Sequence, residues 1–168
     1  MSMKPENDKV FTDPEFAKKL IKHFKPTGVC FDPCRGMDTD KYNKSGGAFY
    51  NNLPEPKFWA EIEAGEDCID FHKEVDWTIT NPPWSAKAYR KVSGHCFKIS
   101  KNVVLLTRLD VALGTYARLN DAKDNGHGLK EIVVCKYKEA GFNDRGFALG
   151  AFHWEKGYQG GTTWTDWR

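Results

Sequence analysis

Two consecutive prolines at the end of an apolar run constrain this chain more than any other feature. Val75-Asp76-Trp77-Thr78-Ile79-Thr80 reads as a buried strand and leads directly into Asn81-Pro82-Pro83-Trp84. The two prolines remove two backbone N–H donors and hold the chain extended. The carbonyls of Asn81 and Pro82 are therefore expected to stay open as acceptors. The Asn81 side-chain oxygen is a third acceptor, and Trp84 supplies a flat aromatic face. Such a set suits a planar group carrying an NH2. The acceptors hold the amine hydrogens and aim the nitrogen lone pair, while the ring stacks on Trp84. The plainer alternative is an X-Pro-Pro turn that merely ends a strand.

A chain of 168 residues has room for one domain, a central sheet covered by helices. Its net charge of +2 permits nucleic-acid binding but is far from the basic stripe of a dedicated module. The cysteines, Cys30, Cys34, Cys68, Cys96 and Cys135, are scattered and odd in number. Cys30 and Cys34 are close enough to share a zinc ion, but no second Cys or His pair with ligand spacing accompanies them. No metal is expected, and the cysteines read as reduced thiols of a cytoplasmic protein. No apolar run reaches the roughly 18 residues of a membrane span, and the N-terminal stretch lacks the apolar core of a signal peptide, so no membrane partner is expected.

The order of elements predicts alternating helices and strands. Apolar residues at 16, 17, 20, 21 and 24 have helical spacing, with Thr12 or Asp13 as N-cap and Pro14 in the first turn. Short strands are expected at 29–31 and 58–62, a weak one near 67–71, and a longer one at 75–80. A helix at 86–99, a strand at 102–107 and a helix at about 111–122 follow. Strands at 131–135 and 147–154, with no helix between them, are expected to pair antiparallel. A mobile loop is expected around Gly126 and Gly128, between Lys123 and Lys130. The tail from Gly157 to Arg168 is expected to be ordered only in part. The five histidines are dispersed, and His153 is expected near the rim of a site. The whole chain, 1–168, reads as one domain with its core at 10–155.

The tetrapeptide Asn81-Pro82-Pro83-Trp84 resembles the N/D-P-P-Y/F/W motif of S-adenosylmethionine-dependent amino-methyltransferases, which methylate amines of adenine, cytosine, guanine or glutamine. Phe31-Asp32-Pro33-Cys34-Arg35-Gly36 is similar to that family's D/E-P-x-x-G-x-G loop after strand one. The second glycine of the pattern is missing, since Met37-Asp38 follows. Gly46-Gly47-Ala48-Phe49 looks like the family's continuation displaced downstream, which makes residues 38–45 a polar insertion that interrupts the loop. The resemblance covers nearly all of residues 10–155 and is close to small phage-type adenine DNA methyltransferases.

Several expectations follow from this resemblance. The fold is α/β, a Rossmann-like class I methyltransferase with a mostly parallel sheet ending in an antiparallel hairpin. S-adenosylmethionine is the cofactor: Asp32 meets its ammonium group, and Gly36 lets the backbone approach it. Glu61, or else Glu63, takes the ribose hydroxyls, and Asp67, or else Asp70, takes the adenine amine. Phe11 and Thr12 close over the methionine moiety. Asn81, Pro82 and Trp84 hold the target amine, most simply that of adenine in DNA. The same tetrapeptide also serves RNA and protein glutamine, and a degenerate fold that binds without catalysis is a further reading. Arg35, Lys41, Lys44, Lys87, Arg90 and Lys91 form a candidate basic rim for phosphates. The chain leaves no room for a target-recognition region. Either specificity is low, a protein partner supplies it, or residues 38–45 and 121–130 do.

Overall fold

The structure, a computed structural model, describes residues 11–37, 46–143 and 146–168. In chain order the elements are α1 (Pro14–Phe24), β1 (Cys30–Asp32), β2 (Lys57–Trp59), β3 (Val75–Thr80), α2 (Ala86–Ile99), β4 (Ser100–Arg108), α3 (Leu109–Leu113), α4 (Tyr116–Asp124), β5 (His127–Cys135), β6 (Leu149–Lys156) and β7 (Thr163–Asp166). The strands form one sheet in the order β2-β1-β3-β4-β6-β5-β7. Pairing is parallel from β2 through β4, and β6 runs antiparallel to both β4 and β5. The expected mostly parallel sheet with an antiparallel hairpin is therefore present.

Alternation along the strands divides the core between the two faces. On β4, Val103 and Leu105 pack with Phe31, Val92, Cys96 and Phe97. Val104 and Leu106 pack with Phe16, Leu20 and Ile79 on the other face. A strand buried on both sides has to be apolar throughout, which is why Val103-Val104-Leu105-Leu106 is uninterrupted. α1 begins where Asp13 accepts from the backbone N–H groups of Glu15 and Phe16, at 2.9 and 3.1 Å. Asp13, not Thr12, is thus its N-cap, and Phe16, Ala17 and Leu20 form its buried stripe.

Several expectations fail for local reasons. The second strand ends at Trp59, and Glu61 makes only an isolated bridge with Glu66. The weak strand near 67–71 is a 3-10 turn, Cys68–Asp70, in which Asp67 accepts from the Ile69 N–H at 3.3 Å. A polar side chain that satisfies the backbone locally competes with strand pairing. The single helix at 111–122 is two helices, broken at Gly114, where a Cβ would stand 2.2 Å from the Asp110 carbonyl. No mobile loop lies between Lys123 and Lys130. α4 turns at Gly126 straight into β5, and buried His127 bonds the Ser100 carbonyl at 2.9 Å. The tail is not partly ordered but supplies β7, parallel to β5, and Trp167 packs edge-on against Phe16 and His23 of α1.

His153 lies away from the expected rim. It faces a second, polar cavity with Trp77 and Asn102, toward the starts of the parallel strands. Its ring stacks on Trp77 at 5.1 Å, and Nε2–H donates to the Asn102 side-chain oxygen at 2.9 Å. Burial, helped by the Lys130 charge, pushes its pKa down to about 4. The unfolded chain protonates this histidine near its ordinary value of about 6.5. The stabilising difference is fully present above pH 6.5 and is lost as pH falls toward 4, by up to about 3 kcal/mol. His153→Gln should flatten the unfolding free energy across that window in denaturant titrations. A variant with the wild-type pH slope would show that another group carries it.

Candidate active site

The chain leaves β1 for β2 on one side and returns to β3 on the other, so the strand order reverses at β1. Open α/β sheets bind ligands in the crevice beyond such a point. A cavity of about 500 Å3 opens there, within the roughly 300–1,000 Å3 typical of small-molecule sites. Phe11, Thr12, Asp32, Gly36, Glu61, Asp67, Asn81, Pro82 and Trp84 all line it. Residues spread over more than 70 positions of sequence thus meet around one cavity. Asp70, the alternative to Asp67, is not among its lining residues.

Asp32 ends β1 and is 1% exposed. One carboxylate oxygen accepts from the Thr80 hydroxyl at 2.7 Å and the Cys34 N–H at 3.2 Å, and the other accepts from the Tyr50 N–H at 3.2 Å. Its principal work is therefore inside the protein, tying β1, β3 and the segment after the glycines together. Burial outweighs these bonds and, with the Glu61 charge adding to it, raises its pKa to about 6. Glu61 is likewise engaged by the backbone. It accepts from the Gly36 N–H at 2.7 Å and the Glu63 N–H at 3.2 Å.

The interrupted glycine loop is closed in space. A Cβ on Gly46 would stand 2.1 Å from the Gly36 carbonyl oxygen and 2.9 Å from the carbonyl carbon of Met37. The Gly47 N–H donates to the Arg35 carbonyl at 2.7 Å. Gly36 itself has φ +76°, the left-handed region that glycine tolerates. The two ends of the insertion abut, so Gly36, Gly46 and Gly47 form one continuous cradle in the cavity wall. Residues 38–45, with Lys41 and Lys44 of the expected basic rim, lie outside the described residues.

Above this cradle stand Phe11 and Thr12. The Thr12 hydroxyl is buried and, among the described residues, has no hydrogen-bond partner. A buried hydroxyl without a partner costs free energy unless a ligand or water satisfies it. An aromatic, an unsatisfied hydroxyl and close-packed glycine backbone fit the methionine end of S-adenosylmethionine.

At the opposite wall Pro82 is buried and Trp84 partly so. Trp84 is held by edge-on contacts with Phe142 at 5.4 Å and Tyr137 at 6.4 Å. Its indole N–H donates to the Asn81 side-chain oxygen at 3.1 Å, with the Leu106 carbonyl at 3.4 Å as a second acceptor. The Asn81 oxygen expected to accept from the target amine thus already receives the indole N–H. An amide oxygen has two lone pairs, and the indole takes one.

Charge pairing changes the expected basic rim. Arg90 grips Asp121 with two bonds, at 2.6 and 2.9 Å. Lys91 bonds Asp67 at 2.6 Å, and that contact lowers the Asp67 pKa. Both cations are thus already paired with carboxylates, and Lys91, expected at the rim, lines the cavity beside Asp67, a pairing the sequence did not indicate. Two cavity thiols, Cys34 and Cys68, have their pKa raised by burial, Cys68 to about 11, so neither is a thiolate nucleophile at neutral pH. Among the described residues no group of His, Cys, Asp and Glu could hold a metal ion, and no helix is long and apolar enough to cross a membrane.

No protein-family model and no curated protein sequence matches the chain. Solved structures do. A putative class I S-adenosylmethionine-dependent methyltransferase from Listeria monocytogenes superposes with a TM-score of 0.61 at 13% identity, over 98% of this chain and 68% of that one. This chain has the class I methyltransferase fold. A modification subunit of a putative type I restriction enzyme from Vibrio vulnificus gives 0.63 at 11% identity, over 96% of this chain and 48% of that one. A putative RNA methyltransferase from Pyrococcus horikoshii gives 0.56 at 14% identity, over 85% and 82%. The chain spans about half the length of the type I modification subunits it resembles.

The closed cradle makes two outcomes checkable with S-adenosylhomocysteine as the calorimetric probe. Gly46→Ala should weaken binding about tenfold or more, because its methyl meets backbone that has no room to yield. Deleting residues 38–45 and joining Met37 to Gly46 should keep binding, with a melting temperature within about 4 °C of wild type. A deletion variant that melts normally but does not bind would make the insertion part of the cradle.

Proposed function

We propose that this chain transfers a methyl group from S-adenosylmethionine to an exocyclic amine of a nucleic-acid base, with adenine in DNA as the principal candidate. One observation carries the reading: the Asn81-Pro82-Pro83-Trp84 wall and the glycine cradle with its unsatisfied Thr12 hydroxyl face the same cavity. The structural neighbours support methyl transfer, since they include modification subunits of type I restriction enzymes and a putative RNA methyltransferase.

In this reading Phe11, Thr12 and Gly36 hold the methionine end of the cofactor. Asp32 and Glu61 act mainly by fixing the cradle, and Asp67 stands at the adenine end. When bound, S-adenosylmethionine supplies an electrophilic methyl group on a sulfonium centre. The side-chain oxygen of Asn81 and the carbonyl oxygen of Pro82 accept the amine hydrogens and draw the nitrogen toward a tetrahedral geometry, with its lone pair directed into the cavity. Trp84 stacks on the base, its plane fixed by Phe142 and Tyr137. A base in a duplex has to be flipped out to reach this wall. A protein partner is proposed as the source of sequence specificity, in keeping with neighbours that are subunits of type I restriction enzymes.

Transfer of tritiated methyl to DNA, RNA and protein extract, run in parallel, identifies the acceptor. Labelled DNA that releases methylated adenine on digestion is the expected result. Label in protein alone would move the assignment to glutamine. Asn81→Ala should lower the rate about a hundredfold, the roughly 3 kcal/mol of one transition-state hydrogen bond, with cofactor binding nearly intact. Trp84→Ala should weaken substrate binding by about 1–3 kcal/mol, and Trp84→Phe should recover part of that. An Asn81→Ala enzyme working at the wild-type rate would remove the mechanism.

A further inference from the structure

Cations and aromatic rings alternate on one face of β2, the strand at the edge of the sheet. Lys57 and Trp59 point the same way, two residues apart. The Lys57 ammonium lies 4.8 Å from the ring centre of Tyr50, and the Arg35 guanidinium lies 5.8 Å from that same ring. Arg35 also lies over Trp59 at 5.1 Å. The result is a row in the order Lys57, Tyr50, Arg35, Trp59. Arg35 in turn lines the mouth of the cavity. On the other face, Lys73 sits 4.4 Å over Phe58. Three of these four contacts involve a residue of β2 itself.

Two further facts separate this row from ordinary surface pairing. Trp59 is 37% exposed, an unusual position for the largest side chain on an edge strand. Arg35 makes no ion pair among the described residues. Among those residues the one hydrogen bond of its guanidinium goes to the Gly36 carbonyl at 3.3 Å, which holds the charge in place with no described carboxylate against it. Lys57 differs: its side chain is largely buried, its ammonium donates to the Leu53 carbonyl at 3.3 Å, and Glu55 at 3.7 Å partly offsets it, so Arg35 and Trp59 are the open members of the row.

We infer that the row Lys57, Tyr50, Arg35 and Trp59 is a docking track for a single nucleic-acid strand, seating nucleotides that flank the base in the cavity. The inference rests on the nucleic-acid reading above. A single strand alternates phosphates with unpaired base faces, and the row alternates cations with aromatic faces at matching polarity. In a duplex those base faces are stacked inside and out of reach. The track would hold the polymer beside the site.

The test is fluorescence anisotropy with a labelled single-stranded oligonucleotide and its duplex, across a salt series. Trp59→Ala should weaken single-strand binding about fivefold to a hundredfold, the range for one lost stacking platform, and Trp59→Phe should recover most of it. Arg35→Gln should lower the slope of log affinity against log salt by about 0.7, the value for one phosphate contact on a single strand. Calorimetry with S-adenosylhomocysteine shows whether the Trp59→Ala protein is still folded around its cavity. Wild-type binding of single strands that neither variant alters would overturn the track and leave the proposed function standing. Preference for the duplex with no effect of Trp59→Ala would overturn it as well. A wild-type protein that binds neither oligonucleotide would remove the nucleic-acid reading, and the track with it.

Discussion

The buried carboxylate of Asp32 is the contact on which the rest of the site depends. It belongs to β1, but its hydrogen bonds come from Thr80 on β3, from Cys34 in the following loop and from Tyr50 beyond the glycines. Three segments that could otherwise drift apart are thereby fixed to one atom group. Glu61 repeats the device one layer out, holding Gly36 and Glu63 by their backbone N–H groups. Two acidic residues that read as ligand contacts in the sequence are, in the folded chain, mostly what gives the cavity its shape. Burying such a charge is costly, which is why the Asp32 carboxyl is harder to ionise than usual.

What the sequence made legible is what depends on local chemistry. Two prolines end β3 whatever surrounds them, and the Val103 to Leu106 run permits only a strand buried on both faces. Asp13 with Pro14 marks a helix start. The less legible features depend on contacts between distant residues. Asp67 and Lys91 are 24 positions apart, and Arg90 and Asp121 are 31 apart, so neither ion pair had a local signal. The abutment of Gly36 on Gly46 was hidden because a sequence shows the length of an insertion but not the distance between its ends. Other misses did carry a signal. Gly114-Thr115 is a helix stop followed by an N-cap, and Thr163-Trp164-Thr165 is rich in strand-forming residues. Both were outweighed by the longer patterns around them.

The sheet manages its two edges differently. At one, β7 covers β5 and leaves the short strand Thr163–Asp166 outermost. At the other, β2 has three residues and carries its rings and cations outward. Short edge strands with charged side chains resist edge-to-edge pairing between copies. The same composition that blunts an edge against aggregation supplies the ring and the cation of the proposed track.

The placement of Trp167 links the far end of the sheet to the cavity. Its backbone N–H donates to the Val134 carbonyl at 2.9 Å, and its ring meets Phe16, His23 and the Lys19 ammonium along α1. The residues just ahead of α1 are Phe11 and Thr12, which lean over the glycine cradle. The helix therefore acts as a rigid rod, clamped along its length by Trp167 and bearing on the cavity at its leading end. Through these contacts the last strand of the sheet and the Thr12 hydroxyl, some 150 positions apart in the chain, are braced by one and the same helix.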